Sequence, residues 1–288
     1  MIEVTNVNSS NTQDLVPTTS LDPKLRKNVK EMHAVLKLPI ILLSNIQSFG
    51  KSESKDKTLE IEEILILNNV GIAVFCETWL TDETIDRLPF KPYQKFHHIR
   101  KNVLRSSGGV SILVENSLPA SKLDIQIPDN IECIWITVRP RWLPRSVSNI
   151  VICGVYYPGL NSLYSPKQED LIFHIITSVQ YLKRKYVNPL FFIMGDFNDL
   201  PIDSIIAVCE LKQVVKVITR GDSTLDLIFT NKSNSLFEEP VSLPKIGDGD
   251  HFPVLYLPKK YIPPKNKKKI VNMRKFPKST KNHFGAWI

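Results

Sequence analysis

Eight polar side chains stand where apolar runs begin or end. Asn45 closes PIILLSN, Glu77 follows GIAVFC, Tyr156 ends NIVICGVY, and Asp196 and Asn198 follow PLFFIMG. Asp226 stands just ahead of LIFT, and Asp250 and His251 just before PVLYL. A carboxylate at the end of a buried strand is costly unless it is paired, hydrogen-bonded or bound to a metal. One such residue reads as a turn or a cap. The whole set invites a common cause, a site assembled where strand ends converge.

The elements that must position these residues follow from pattern. From Pro39 onward, short apolar runs recur: PIILLS, GIAVFC, GGVSILV, CIWITV, NIVICGVYY, PLFFIMG, LDLIFT and PVLYL. Each has strand length, and several are apolar throughout, as strands buried on both faces should be. Helical spacing falls between them. Thr58 to Asn69 repeats apolar residues at i, i+3 and i+4. Pro166 to Tyr186 does so over about five turns, with Pro166 expected in the first turn. Ser204 to Leu211 reads as a third, short helix. Strands with interspersed, non-alternating helices predict two packed sheets covered by helices. Residues 1–38 read as a polar leader, partly disordered, with a helix near Leu25 to Leu36. Residues 39–258 read as one domain and 259–288 as a basic linker or tail.

Composition narrows the classes. The 288 residues are 42% hydrophobic and 23% charged, ordinary for a globular protein. The best apolar run, Leu38 to Leu43, is far short of the roughly 20 residues a membrane helix needs. The N-terminus MIEVTNVNSSN has no basic segment followed by an apolar one, so it does not read as a secretory signal. Cys76, Cys133, Cys153 and Cys209 lack zinc spacing and read as reduced, buried thiols of an intracellular protein. Residues 259–288 hold ten of the Lys and Arg residues and no Asp or Glu, so the net charge of +8 becomes −2 for the first 258. A basic tail favours anionic polymers such as nucleic acid, or serves as a solvated end. Its KNKKK segment also reads as a nuclear-import signal, which makes a nuclear location the expectation.

In order, SNIQS, ETWL, YYP, GDFN, STLDLIFTN and DHFPV resemble the endonuclease/exonuclease/phosphatase superfamily over roughly residues 39–258. ETWL, STLDLIFTN and DHFPV look most like the apurinic-type endonuclease domain of non-LTR, LINE-type retrotransposons. The resemblance implies a DNase I-like, four-layer α/β/β/α sandwich with two mixed sheets. It implies a phosphodiester hydrolase using Mg²⁺ or Mn²⁺. Glu77, Asn45 and Asp250 would lie at the metal. Asp196 would act on the attacking water or the leaving group, with Asn198 orienting it and touching phosphate. Tyr156 would bond a phosphate oxygen, His251 would bind the scissile phosphate, and Asp226 would fix its tautomer. In those elements a basic linker leads into a reverse transcriptase, so the chain reads as a fragment or truncated copy.

Two positions depart from the pattern. Gly249 stands where a Ser often precedes the Asp-His pair, and Gln47 where apurinic endonucleases carry an acid. The expected activity is nicking of one DNA strand, with no membrane and no obligate protein partner. Basic loops at 100–109 and 140–149 are candidates for DNA contact, through Arg105 and Trp142. An inositol phosphate or other phosphodiesterase of the same fold is one alternative. A catalytically inactive nucleic-acid-binding remnant is another.

Overall fold

The computed structural model describes residues 38–50, 56–101, 107–141, 143–144 and 146–259. The expected leader helix and the tail from Lys260 lie outside them. Two β-α-β units organise the rest. Strand β1 (Ile40–Asn45) leads through helix α1 (Thr58–Leu67) to β2 (Val70–Cys76), parallel to β1. Strand β7 (Ile150–Tyr156) leads through α2 (Gln168–Lys185) to β8 (Leu190–Asp196), again parallel. Joining parallel neighbours requires such a crossover.

Each parallel pair is the centre of a six-stranded mixed sheet. Around β1 and β2 stand β3 (Tyr93–His98), β4 (Val110–Glu115), β11 (Val241–Ser242) and β12 (Val254–Tyr256), in the order β11-β12-β1-β2-β4-β3. Around β7 and β8 stand β5 (Ala120–Lys122), β6 (Glu132–Val138), β9 (Lys212–Gln213) and β10 (Asp226–Thr230), in the order β5-β6-β7-β8-β10-β9. Ile41, Leu43, Ile72, Val74, Ile152, Phe192, Met194 and Ile228 fill the space between the sheets. Their neighbours Ile40, Leu42, Ala73 and Phe75 face outward under α1, and Val151, Val155, Phe191 and Ile193 face outward under α2 and α3 (Asp203–Cys209). This is the four-layer sandwich expected from the sequence. It also explains the unbroken apolar runs, because central strands are buried on both faces.

The helices are shaped by local chemistry. In α2, Leu171, His174, Ile175, Ser178, Val179 and Leu182 form the buried stripe. Glu169 and Asp170 lie in the first turn and Lys183, Arg184 and Lys185 in the last, matching the helix dipole. The helix begins at Gln168, after Lys167 in an extended conformation, so Pro166 lies before the first turn and not within it. Helix α1 stops at Leu67 because Asn69 turns left-handed at φ 49°; α3 stops at Cys209 because Glu210 does so at φ 53°. Strands β3, β5, β9 and β11 were not legible as apolar runs. They are edge or short strands, and YQKFHH and ASK carry polar side chains to solvent.

Candidate active site

Strand parity collects the polar set. Side chains alternate across a strand, so Asn45 shares the inward face with Ile41 and Leu43, and Asp196 with Phe192 and Met194. Register then aligns them. Glu132 is paired with Tyr156, Tyr156 with Asp196, and Asp196 with Asp226, one row across the second sheet. In the first sheet Asn45 is paired with Cys76. The parallel strands contribute C-terminal ends and the antiparallel strands β6 and β10 contribute their starts, so all the residues arrive at one end of the sandwich. Cys76 joins the two rows. Its thiol donates to the Val155 carbonyl at 3.2 Å and accepts the Asp196 N–H at 3.4 Å. Gly195 permits that closeness, because a Cβ there would lie 1.7 Å from the Val155 oxygen.

Asn45, Glu77 and Asp196 form one half of the site. The Asn45 amide nitrogen donates to Glu77 Oε1 at 2.7 Å and to Asp196 Oδ2 at 2.9 Å. Glu77 leaves β2 in a left-handed conformation, φ 51°, which turns its carboxylate back over the strand ends. Trp79 Nε1 donates to Glu77 Oε2 at 3.3 Å, and the Tyr156 phenol lies near the same carboxylate. Burial and the carboxylates of Glu77 and Asp196 raise the Tyr156 pKa far above its usual value, so the phenol is a donor at any physiological pH. The neighbouring Tyr157 faces outward, in the core under α2. Asn198, at φ 43°, donates its backbone N–H to Asp196 Oδ1 at 3.1 Å and its amide to the Tyr157 carbonyl at 2.7 Å. Burial and the nearby Asp226 push the Asp196 carboxyl up to about 7, against the opposing effects of His251, Asn45 and Asn198.

Asp226, His251 and Asp250 form the other half. His251 Nδ1 lies 2.7 Å from Asp226 Oδ2, with both side chains fully buried. Burial opposes the imidazolium, but the Asp226 bond and the charges of Asp226, Asp196 and Asp250 outweigh it and raise the His251 pKa. Thr219 Oγ1 accepts the backbone N–H groups of Leu225 and Asp226 at 2.9 and 3.0 Å, fixing the start of β10. Asp226 Oδ1, Asp250 Oδ1 and His251 Nε2 are buried and make no hydrogen bond. Three such atoms on neighbouring residues leave bonding capacity that an incoming group could use.

Asp196, Asp226 and His251 can each offer one ligand atom to a metal, all within 4.8 Å of one another. The chemistry of the donors divides the roles. His251 Nδ1 carries the hydrogen that bonds Asp226, and an imidazole is a poor ligand for Mg²⁺, which prefers oxygen. Glu77 and Asp196 offer oxygens of the kind such an ion prefers; the Asn45 amide turns its nitrogen to both carboxylates and its oxygen to the Gln47 N–H at 3.2 Å.

Several residues at the site were not singled out in the sequence. Arg100 donates to Glu132 through Nε at 2.7 Å and through Nη2, and to Ser107 through Nη1 at 3.1 Å. Its guanidinium lies over the Tyr156 ring at 5.7 Å and the Tyr164 ring at 4.7 Å. Gly108 leaves room for this pair, since its Cβ would meet Arg100 and Glu132 within 2.5 Å. Arg220 Nε donates to Asp250 Oδ2 at 2.8 Å. Gln47, at the departure noted above, accepts the Asp250 backbone N–H at 3.4 Å. Near Gly249, Lys57 is buried and bonds the Ile46 carbonyl and Asp248, each at 2.9 Å. The one available signal was Glu132 at the start of CIWITV, in the same relation to its strand as Asp226. Arg105 and Trp142 lie outside the described residues.

The comparisons with known proteins fit this geometry. Residues 42–251 match the family model "Endonuclease/Exonuclease/phosphatase family". The chain belongs to that family, a family of phosphoester hydrolases. No curated protein sequence matches the chain. Among solved structures it resembles the catalytic domain of human Nocturnin with bound sulfate, at 15% identity and TM-score 0.56, covering 78% of this chain and 95% of that one. It also resembles the endonuclease domain of TRAS1, a telomere-specific non-LTR retrotransposon, at 15% identity and TM-score 0.51, covering 77% and 98%. A third is D. rerio TDP2 complexed with single-strand DNA product, at 10% identity and TM-score 0.52, covering 77% and 98%. At these identities the likeness shows the fold. No helix among the described residues is long and apolar enough to cross a membrane.

Proposed function

We propose that the protein is a divalent-metal-dependent DNA endonuclease that nicks one strand and leaves a 3′-hydroxyl, of the kind found in non-LTR retrotransposons. The observation that carries the hydrolytic reading is the buried Asp226–His251 pair beside Asp196, with His251 Nε2 left unbonded. That nitrogen is placed to donate to a phosphoryl oxygen, and Asp226 keeps the imidazole charged and oriented. Asp196, poised near neutrality, accepts a proton from the attacking water while Asn45 and Asn198 hold its two oxygens. The Tyr156 phenol, always protonated, donates to the phosphate or the leaving oxygen. Mg²⁺ or Mn²⁺ held by Glu77, whose carboxylate Asn45 orients, would supply positive charge to the phosphoryl oxygens. DNA as the substrate is supported by the basic stretch 259–288 and by the TRAS1 and TDP2 relatives, whose names concern DNA or retrotransposition.

The test is nicking of supercoiled plasmid in Mg²⁺ and in EDTA, with wild type and Asp196→Ala. Conversion to open circles in Mg²⁺ only, lost by at least a hundredfold in the folded variant, is the expected result. Nicking by Asp196→Ala at the wild-type rate would overturn the mechanism. A folded wild type that leaves plasmid intact but hydrolyses inositol phosphates would move the substrate to small phosphoesters.

A further inference from the structure

We infer that Arg220 is a substrate-phosphate ligand, held by Asp250 in the free protein and exchanged onto a phosphate when substrate arrives. The inference rests on the phosphodiesterase reading of the site. Arg220 is placed by backbone, not by its side chain. Arg220 and Ser223 exchange N–H···O bonds of 3.0 and 2.8 Å across a tight turn, with Gly221 left-handed at φ 54°. Thr219 N–H bonds the Ser223 carbonyl at 2.9 Å, and the Thr219 carbonyl accepts the Phe252 N–H at 2.7 Å. Arg220 is thereby bridged directly to His251. A rigid hairpin therefore presents the guanidinium beside the residue that faces the phosphate.

The guanidinium is only partly committed. Its side chain is 42% exposed, and among the described residues its one side-chain bond runs from Nε to Asp250 Oδ2. Both terminal nitrogens remain to form the two-pronged contact with a phosphate for which arginine is suited. The other oxygen of Asp250 is buried and unbonded, 3.7 Å from His251 Nε2, which is unbonded too. Arginine, Asp250 and imidazole thus stand in sequence along one edge of the site. A half-exposed pair of this type is weakly held, so a dianionic or diester phosphate competes for the guanidinium at small cost.

The test uses the full chain in EDTA, so that it does not depend on cleavage. Inorganic phosphate is titrated while the Arg220 Nε–H and His251 side-chain NMR signals are followed, in wild type and in Arg220→Gln. A saturable shift at both residues, with the His251 shift weakened in Arg220→Gln, is expected; no movement of the Arg220 signal in the wild type would overturn the inference. In parallel, binding of a DNA duplex is measured against salt. Arg220→Gln should weaken it several-fold and lower the slope of log affinity against log salt by about one, whereas Arg220→Lys should keep the slope. Equal affinity and slope in wild type and Arg220→Gln would overturn it as well. Loss of nicking in Mg²⁺ by an otherwise phosphate-responsive wild type would count against the endonuclease reading alone.

Discussion

Two arginine–carboxylate pairs flank the same site, and they sit in different solvents. The side chains of Arg100 and Glu132 are 9% and 5% exposed, whereas those of Arg220 and Asp250 are 42% and 45% exposed. All the donors of the first pair that bear on the site are spent: on Glu132, on Ser107, and on the faces of Tyr156 and Tyr164. Glu132 is likewise bound by the Gly109 N–H, so the pair ties the start of β4 to the start of β6 beneath Tyr156. The second pair leaves its terminal nitrogens open. Burial turns the same chemistry into a fixed strut on one side of the site and an exchangeable ligand on the other.

The largest effect expected from this contrast is on stability. Glu132→Ala leaves the Arg100 charge buried without its partner and should cost about 3–5 kcal/mol in urea denaturation. Asp250→Ala exposes an arginine that already reaches water and should cost less than about 1 kcal/mol. Equal losses would remove the distinction. Replacing Arg100 and Glu132 together with Met and Leu sharpens it, because two apolar groups need no compensation and stability should largely return. Activity should not return with it, since the guanidinium would no longer lie over Tyr156.

Between the arginines lie Asp196 and Asp226, two buried carboxylates that neither guanidinium bonds. Their proximity has a pH signature of intermediate size in the metal-free protein. The Asp196 carboxyl is raised from 3.8 to about 7 on folding. Between those values the unfolded chain loses the proton and the folded chain keeps it, so stability from this group is lost as pH rises. His251, also raised, acts in the same direction, its contribution present below pH 6.5 and lost as pH rises through its folded value. In urea melts in EDTA, wild type should therefore lose up to about 1.4 kcal/mol per pH unit relative to Asp196→Asn between pH 5 and 7. Parallel curves would mean that Asp196 is an ordinary carboxylate. Glu132, raised by burial but held down by Arg100 and the Gly109 N–H, is the paired counterpart within the same row.

How much of this was legible in the sequence depended on range. The apolar runs gave the central strands, because a strand buried on both faces needs no partner to be recognised. Asn45, Glu77, Tyr156, Asp196, Asn198, Asp226, Asp250 and His251 were legible because each follows or precedes such a run. The structure brings all of them to one end of the sandwich. Arg100, Glu132 and Arg220 were not, since what they do depends on partners 32 and 30 residues away. Arg100 sits in a basic loop stretch where a surface charge is the ordinary expectation; only Gly108, which admits its side chain, distinguishes it. The edge strands were hidden for the opposite reason, their polar faces carrying too little apolar alternation to stand out from loops.

The smallest effect separates the pairs most cleanly. A double-mutant cycle on Arg220 and Asp250, measured by denaturation, should give a coupling of about 0.2–1 kcal/mol. In 1 M salt, where the screening length is about 3 Å, that coupling should fall toward zero. The corresponding cycle on Arg100 and Glu132 should hardly change, because ions do not enter a buried contact. Salt should also leave Tyr156 in place while loosening Arg220 from Asp250, so high ionic strength would weaken DNA binding without displacing the phenol. A salt-insensitive Arg220–Asp250 coupling would mean that the second pair is also a strut, and that its arginine is not available to a phosphate.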